Sequence, residues 1–538
     1  MRTKKGLVLF LAVMLLMTLF FVSSAFSKSA EPATPVNKAK LVGNMYASGL
    51  PILKNKKTYT IAVTKDPDSL NSFAQKACVI QTEKLTNVHI EWIDIPYSSW
   101  NEQVNVMLAS GNMPDAFSGL DIDVMQNIDL FQPLTNDIRK YAPNINEMLT
   151  KSPEVKKAVT APNGQIYCLP TNKDNPSDYV MHALWMNGDW LKKLGKKVPR
   201  TTDELVDVLR AFKKGDPNGN GKADEIPLVA RTSDVYGAGN IDALFGAFGA
   251  IDTPEYVYSK DGKKVLFSGT QPGYYEALKW LHQLYSEGLL DADVFTQTQA
   301  QVNAKATNPD LLIGSIMFWI PDSMDKRFAD YIPLEAPIGP KGDQLWSQYR
   351  RPGRYMNGFS ITKNCKEPAV LLRYYDTLIS NLDMVMLWQW GPEFEGCWER
   401  VGTDGKWQQT TKYVPKQGMT MTQFKRTVAG SVFSPMYMWS KWANLEVPDA
   451  RNAKKRAANE KYLKHAVMTM PYGLYDPKKV NERNALFVDI DNYMKKFKAS
   501  SIVNGISDAQ WQEHLKRCKQ LKTDAYTALW QGYFNSTK

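Results

Sequence analysis

An α/β protein built as two lobes is the fold class this sequence predicts, and three observations carry it. Strand and helix patterns alternate between Thr58 and Phe117, the mark of a largely parallel sheet covered by helices. A helix, a loop and an extended segment follow one another again across residues 201–229. The chain is 538 residues long, more than one hydrophobic core ordinarily supports, so two lobes or domains are expected.

The elements can be justified in order. Arg2, Lys4 and Lys5 precede an apolar run from Leu7 to Val22 broken only by Thr18, and Ala25 and Ser27 suit a signal-peptidase site. Residues 1–27 therefore read as a signal peptide cleaved before Lys28; Ser23 and Ala25 allow cleavage before Phe26. The run is long for a leader and short for a membrane span, so an uncleaved anchor is the alternative. The first cysteine is Cys78, so no lipobox cysteine follows the run. The expected location is outside the cytoplasmic membrane. Residues 28–57 are polar, carry Pro32, Pro35 and Pro51, and read as a linker.

Tyr59, Ile61 and Val63 alternate as a strand, as do Val88, Ile90 and Trp92, with a helical stretch from Leu70 to Leu85 between them. Val104, Met107 and Leu108 mark a helix over 99–110 that stops at Gly111, and Asp115-Ala116-Phe117 opens a third strand. Gly164–Pro170 and Tyr179–Met186 read as extended. Thr201 and Glu204 form a capping box, and Leu205, Val208, Leu209 and Phe212 follow at helical spacing up to Gly215. Gly273–Gly288 is a second amphipathic helix, and later helices are expected over 368–382 and 457–470.

Asp216, Asn218, Asn220 and Asp224 place side-chain oxygens at every second position but one, Glu225 follows, and Gly221 sits where the loop must turn. Ca²⁺ takes about six to eight oxygens at roughly 2.3–2.6 Å from a loop that curls around it. The first six positions match an EF-hand loop and the Lys222 carbonyl falls at the seventh. The match then fails, because position twelve is Pro227 and an extended segment replaces the second helix. A structural calcium loop between helix and strand is the expectation; an Asn/Gly-rich surface turn is the alternative.

The net charge is +11, three of it in the leader, and basic residues are dispersed rather than striped, which argues against nucleic acid. Five cysteines, with no CxxC or zinc spacing, do not make a disulfide scaffold. Buried thiols with at most one bridge are expected.

The run Leu184-Trp185-Met186-Asn187, then Trp190-Leu191-Lys192-Lys193-Leu194-Gly195, the capping box and the loop through Leu228 resemble family 1 extracellular solute-binding proteins of carbohydrate ABC importers. The nearest subgroup is the calcium-bearing one, with alginate-oligosaccharide binders and LplA-type lipoproteins. The likeness is looser at Gly314–Met317, at Tyr331–Leu334 with Pro340–Asp343, and at Gly391–Gly405; the missing leader cysteine is a departure. The resemblance implies a type II periplasmic-binding-protein-like clamshell. Residues 58–169 and 311–362 would form the N-lobe, and 171–306 with 363–538 the C-lobe. It implies a monomer that captures an oligosaccharide between the lobes and delivers it to a membrane permease. It also implies Ca²⁺ held by the side chains of Asp216, Asn218, Asn220, Asp224 and Glu225 and the Lys222 carbonyl, remote from the sugar.

Fifteen tryptophans and twenty-five tyrosines supply faces on which sugar C–H groups stack. Trp388 and Trp390 beside Glu393, Trp319 at the end of an apolar run, Tyr355 and Trp185 are the candidate ligand residues, with Trp346 and Trp439 behind them. For any single ring a place in the core is the competing reading. Glu393 and Glu395 could be offered as paired glycosidase acids, but their spacing does not argue for it. GxSxG and HExxH are absent, Gly219–Lys222 lacks the spacing of a phosphate loop, and the five histidines are scattered. The expectation is a binding protein with no catalytic residue. A secreted calcium-dependent polysaccharide-degrading enzyme and a sugar-sensing partner of a membrane receptor are the alternatives.

Overall fold

The computed structural model describes residues 37–67, 69–174, 179–180, 182–232, 239–319, 327–348, 355–415, 419, 421–468, 470 and 473–536. The leader lies outside them. Two hydrophobic cores organise the rest, each around a four-stranded sheet.

In the first sheet the order is Phe359–Ile361, Ala116–Ser118, Lys57–Lys65, Val88–Pro96. The last three strands are parallel and Phe359–Ile361 runs against them at the edge. Tyr59 and the run Ile61–Thr64 are buried, as expected where helices cover both faces of a parallel sheet. Helices Ala77–Thr86 and Trp100–Ser110 make the crossovers; the second ends at Gly111 with φ +72°, a left-handed cap that glycine adopts at little cost.

In the second sheet the order is Tyr331–Pro333, Leu184–Asn187, Ile313–Met317, Ile226–Val229. Ile313–Met317 is parallel to Ile226–Val229 and antiparallel to Leu184–Asn187. The capping box forms as read: Thr201 Oγ1 accepts from the Glu204 N–H at 3.1 Å, and Glu204 Oε2 accepts from the Thr201 N–H at 3.1 Å. It starts helix Thr202–Lys214, which buries Leu205, Val208, Leu209 and Phe212.

Three expectations need correction. Residues 37–57 are not a linker: Ile52 and Leu53 are buried in the first core, and the Arg373 guanidinium binds the carbonyls of Tyr46 and Gly49. The division of the lobes is also different. Strand Ile313–Met317 sits in the middle of the second sheet, so 313–319 and 327–346 belong to the C-lobe. The described residues of 356–443 belong to the N-lobe, because Phe359–Ile361 completes its sheet and helices Pro368–Leu378 and Leu382–Trp390 pack in its core. The C-lobe resumes at Ala458. Finally, the helix expected over 457–470 is Ala450–Leu463, because Asp449 caps it through the Asn452 N–H at 2.7 Å and Ala466–Met468 is already a strand.

Among the described residues the chain passes from the first core to the second after Leu169, back before Met356 and out again after Ala443, and it touches the first core once more at Leu474. Short parallel ladders brace these crossings. Asn172–Lys173 pairs with Tyr437–Met438, and Trp346–Gln348 pairs with Ala466–Met468. The C-terminus adds helices Pro477–Asn504, Asp508–Gln520 and Thr523–Ser536 to the C-lobe. All five cysteines are free and buried. No helix among the described residues is long and apolar enough to cross a membrane.

Candidate ligand-binding cleft

In open α/β sheets ligands gather beyond the carboxyl ends of the parallel strands. Asp66 follows the first strand of the N-lobe, and Tyr97 follows strand Val88–Pro96. Helix Met421–Val428 is fastened over this end. Arg426 Nε lies 2.8 Å from Asp66 Oδ2, and its Nη1 donates to Ser431 Oγ at 2.6 Å. Beneath it the buried Lys76 ammonium donates to Ser69 Oγ at 3.1 Å and to the Arg426 carbonyl. Burial lowers the Lys76 pKa to about 8, with the Arg426 charge acting in the same direction.

Three rings run along the same edge. Phe433 lies 5.8 Å from Tyr97 and 5.9 Å from Tyr355, centroid to centroid. Tyr355 has φ +61°, a strained conformation for a bulky residue. Its carbonyl, accepting from the N–H groups of Thr171 and Gly358 at 3.0 and 3.2 Å, holds the turn in place. On the C-lobe side Trp319 follows strand Ile313–Met317 and is half-buried, with the Lys455 ammonium 3.9 Å from its ring centre. Its indole N–H has no hydrogen-bond partner among the described residues. Trp439 stands at the third crossing, buried, and its N–H is likewise unpaired among them.

The six expected ligand residues thus fall into three groups. Trp319 and Tyr355 stand at the strand ends. Trp388 and Trp185 do not: both are fully buried core rings. The Trp388 N–H donates to Thr82 Oγ1 at 2.8 Å and its ring meets Phe73, Trp92 and Tyr374. The Trp185 N–H donates to the Phe318 carbonyl at 3.0 Å inside the second core. Trp346 is a core ring too, against Tyr462 at 4.5 Å. Trp390 and Glu393 form the third group. The Lys425 ammonium sits 3.6 Å over the buried Trp390 ring, and burial holds that ammonium well below its ordinary pKa. Glu393 is engaged by Arg400, which also pairs with Asp383.

Sequence reasoning missed Asp66, Tyr97, Arg426, Phe433 and Lys455. Asp66 and Tyr97 were within reach, since each directly follows a strand that the alternation had located. Arg426 and Phe433 were not, because nothing in the pattern placed 421–433 against the first sheet.

The loop Asp216–Glu225, expected to hold calcium, curls around the Asp216 carboxylate. Asp216 Oδ1 accepts from the N–H groups of Gly219 and Asn220 at 3.0 and 3.1 Å, and Oδ2 from Gly221 at 3.1 Å. Asp216, Gly219 and Gly221 have φ of +44°, +76° and +72°, which curl the loop. Glu225 Oε1 is buried without a partner among the described residues. Burial, then the charges of Asp216 and Asp224, raise the Glu225 pKa. Crowded carboxylates with an orphaned oxygen are what a cation relieves, so the donor set fits Ca²⁺. The fit is not fully assembled: Asp224 accepts from the Asn218 and Asn220 amides instead. No three acidic, histidine or cysteine side chains converge as a metal cluster among the described residues.

What the cleft offers chemically is stacking and hydrogen bonding. Burial pushes all five thiols up in pKa, so none is an activated nucleophile.

Known proteins share this architecture. FusA, a fructooligosaccharide ABC transporter substrate-binding protein of Streptococcus pneumoniae, is 28% identical over 499 residues, 90% of this chain and 91% of FusA. The structure of FusA in complex with kestose superposes with a TM-score of 0.77 at 27% identity, covering 89% of this chain and 99% of that one. Lipoprotein LipO of Bacillus subtilis is 30% identical over 309 residues, 55% of this chain and 59% of LipO. Alginate-binding protein AlgQ2, solved without calcium ion, shares the fold at a TM-score of 0.69 and 21% identity, over 90% and 98% of the two chains. The fold is the two-lobed type II arrangement of solute-binding proteins. The family model for bacterial extracellular solute-binding proteins matches residues 62–381. With both sheets, the crossings and the strand-end cleft in place, the chain belongs to that family of bacterial extracellular solute-binding proteins.

Proposed function

We propose that this chain is the substrate-binding protein of an ABC importer, capturing an oligosaccharide between its lobes and passing it unchanged to a membrane permease. One observation carries the reading: the chain aligns over nine-tenths of its length with a fructooligosaccharide binder, and each lobe sets aromatic rings beside charged groups at its own strand ends. Trp319 and Tyr355 are the proposed stacking platforms. The Asp66–Arg426 pair and Lys455 are the proposed hydroxyl partners. Rings give affinity without demanding one hydroxyl pattern, and paired charges can both donate and accept.

The protein acts outside the cytoplasmic membrane, after removal of residues 1–27, as a monomer and without turnover. Calcium is structural: Asp216, Asn218, Asn220, Asp224 and Glu225 with the Lys222 carbonyl hold it, and it ties helix Thr202–Lys214 to strand Ile226–Val229 by neutralising the crowded acids. The sugar is identified by thermal shift of the mature protein against neutral and uronic oligosaccharides, with reducing ends assayed alongside. A stabilising sugar recovered intact is the expected result. Steady release of shorter sugars would make the protein an enzyme instead.

A further inference from the structure

Three charged side chains are buried together inside the C-lobe, where helix Pro477–Asn504 packs on helix Pro272–Ser286. The Lys498 ammonium donates to Asp242 Oδ1 at 2.7 Å and to Asp252 Oδ2 at 2.9 Å. Asp242 lies in the short helix Ile241–Phe248, and Asp252 in the loop that follows it. The Asp252 side chain is wholly buried. Its second oxygen, Oδ1, has no partner among the described residues.

The charges do not balance. Two carboxylates face one ammonium, and the groups around them bring no second free cation among the described residues. From helix Pro272–Ser286, the Tyr274 hydroxyl reaches Asp252 Oδ2 at 3.4 Å. From helix Pro477–Asn504, Asp491 is already paired with Lys495 at 2.7 Å and accepts from the Tyr256 hydroxyl at 2.9 Å. In the Asp252 loop itself, Glu255 faces Arg483. An uncompensated carboxylate taken out of water is strongly unfavourable, and a proton on Asp252 restores neutrality. Burial raises the Asp252 pKa to about 7, with Lys498 opposing it and Asp242 adding to it. Burial also works against the Lys498 charge, but the two carboxylates outweigh it and raise the Lys498 pKa. Asp252 is therefore the member of the cluster that titrates.

We propose that Asp252 is a proton-operated latch: a proton taken up in mild acid fastens helix Pro477–Asn504 to the C-lobe, and its loss toward alkaline pH loosens that helix. The folded chain holds this proton more tightly than the unfolded chain does. The stability it contributes is full below about pH 4 and is lost as pH rises through 7. The same helix carries Asn481, whose Oδ1 accepts from the Gln126 amide of the N-lobe at 2.7 Å, so its hold on the C-lobe reaches the lobe junction. The latch stands whatever the cleft binds.

Two histidines touch this helix and set the control. His282 lies 2.9 Å from the Ile502 carbonyl, and His514 stacks on Phe497 at 3.7 Å. Burial lowers the His514 pKa to about 4, so it stays neutral across the range that matters.

The experiment follows hydrogen exchange of the full mature chain by mass spectrometry from about pH 5.5 to about pH 7.5, corrected for intrinsic rates, at constant calcium. In wild type, protection of residues 490–504 should fall about tenfold or more, since each pH unit in this range is worth up to about tenfold. Helix Thr202–Lys214 of the same lobe should keep its protection. In Asp252→Asn, where Lys498 and Asp242 balance, the fall should vanish. Its melting temperature should match or exceed wild type at the upper pH and lose that advantage at the lower. Wild-type protection that ignores pH overturns the latch. A fall that persists in Asp252→Asn assigns the response to the histidines and overturns it too, as does a variant destabilised equally at every pH. If Asp252→Asn does not fold, His282→Gln decides: the wild-type fall should survive there, and its loss would refute Asp252.

Discussion

Trp388 is gripped on every side, by Thr82 through its N–H and by Phe73, Trp92 and Tyr374 around its ring. Its replacement by alanine should cost about 3–5 kcal/mol of stability, as a large buried ring lost to a cavity does. Ligand affinity in the surviving folded protein should not change. Trp319→Ala should do the reverse. Half-exposed at a strand end, it should keep the melting temperature near wild type and lose on the order of tenfold in affinity, about 1.4 kcal/mol. Denaturation and calorimetric titration of the two variants separate platform from core; an unaltered affinity in Trp319→Ala would reject that ring. This contrast also marks how far single residues could be read. The turn at Asp216–Gly221 was legible because its Asp, Asn and Gly residues lie within one short segment. The tryptophans were not, because a ring wanted by a sugar and a ring wanted by a core look alike until their neighbours are known.

At the scale of elements, the capping box and the helices over 100–110, 202–214 and 272–286 were legible from spacing, since each is set by its own residues, whereas the helix expected over 70–85 begins only at Ala77, behind the turn Phe73–Gln75. The lobe division was not legible. Ile313–Met317 lies in an apolar run and Phe359–Ile361 is a three-residue strand with no pattern of its own, and only partners more than eighty residues away decide which sheet takes them. The loop Asp216–Glu225, the proposed calcium site, joins helix Thr202–Lys214 to strand Ile226–Val229. Calcium at a hundredfold excess over its dissociation constant should add about 2.7 kcal/mol of stability by linkage, so chelator should lower the melting temperature. Asp216→Ala should abolish the response to chelator. A wild-type melt that ignores chelator would refute the staple.

Helix Pro368–Leu378 carries a second such joint. Asp376 accepts from the Ile145 N–H and the Asn144 amide, both at 2.8 Å, at the start of helix Pro143–Lys151. Burial raises its pKa from the ordinary 3.8 to about 6. The folded state then holds the proton more tightly than the unfolded chain does. The stability this group contributes is full below about pH 4 and is lost as pH rises through 6. In Asp376→Asn that part of the slope between pH 4 and 6 should disappear, as thermal melts across the range would report.

For the whole molecule the governing fact is two cores between which the chain passes repeatedly, with aromatic and charged groups at the strand ends of each. Such a molecule moves by hinge bending at a few crossing residues while each lobe stays rigid. Ligand can drive that motion only through contacts made to both lobes in the closed form. A permease can then tell loaded from empty protein by shape. The overall class was legible early, because strand–helix alternation and length left few alternatives; the braced crossings emerged only from the folded pairing. Small-angle scattering of the mature, calcium-loaded protein, with and without a saturating oligosaccharide from the thermal-shift panel, tests this most directly. The radius of gyration should fall on adding the sugar, and the sugar should be recovered intact. An unchanged radius with bound sugar, or a sugar recovered in fragments, would contradict the account.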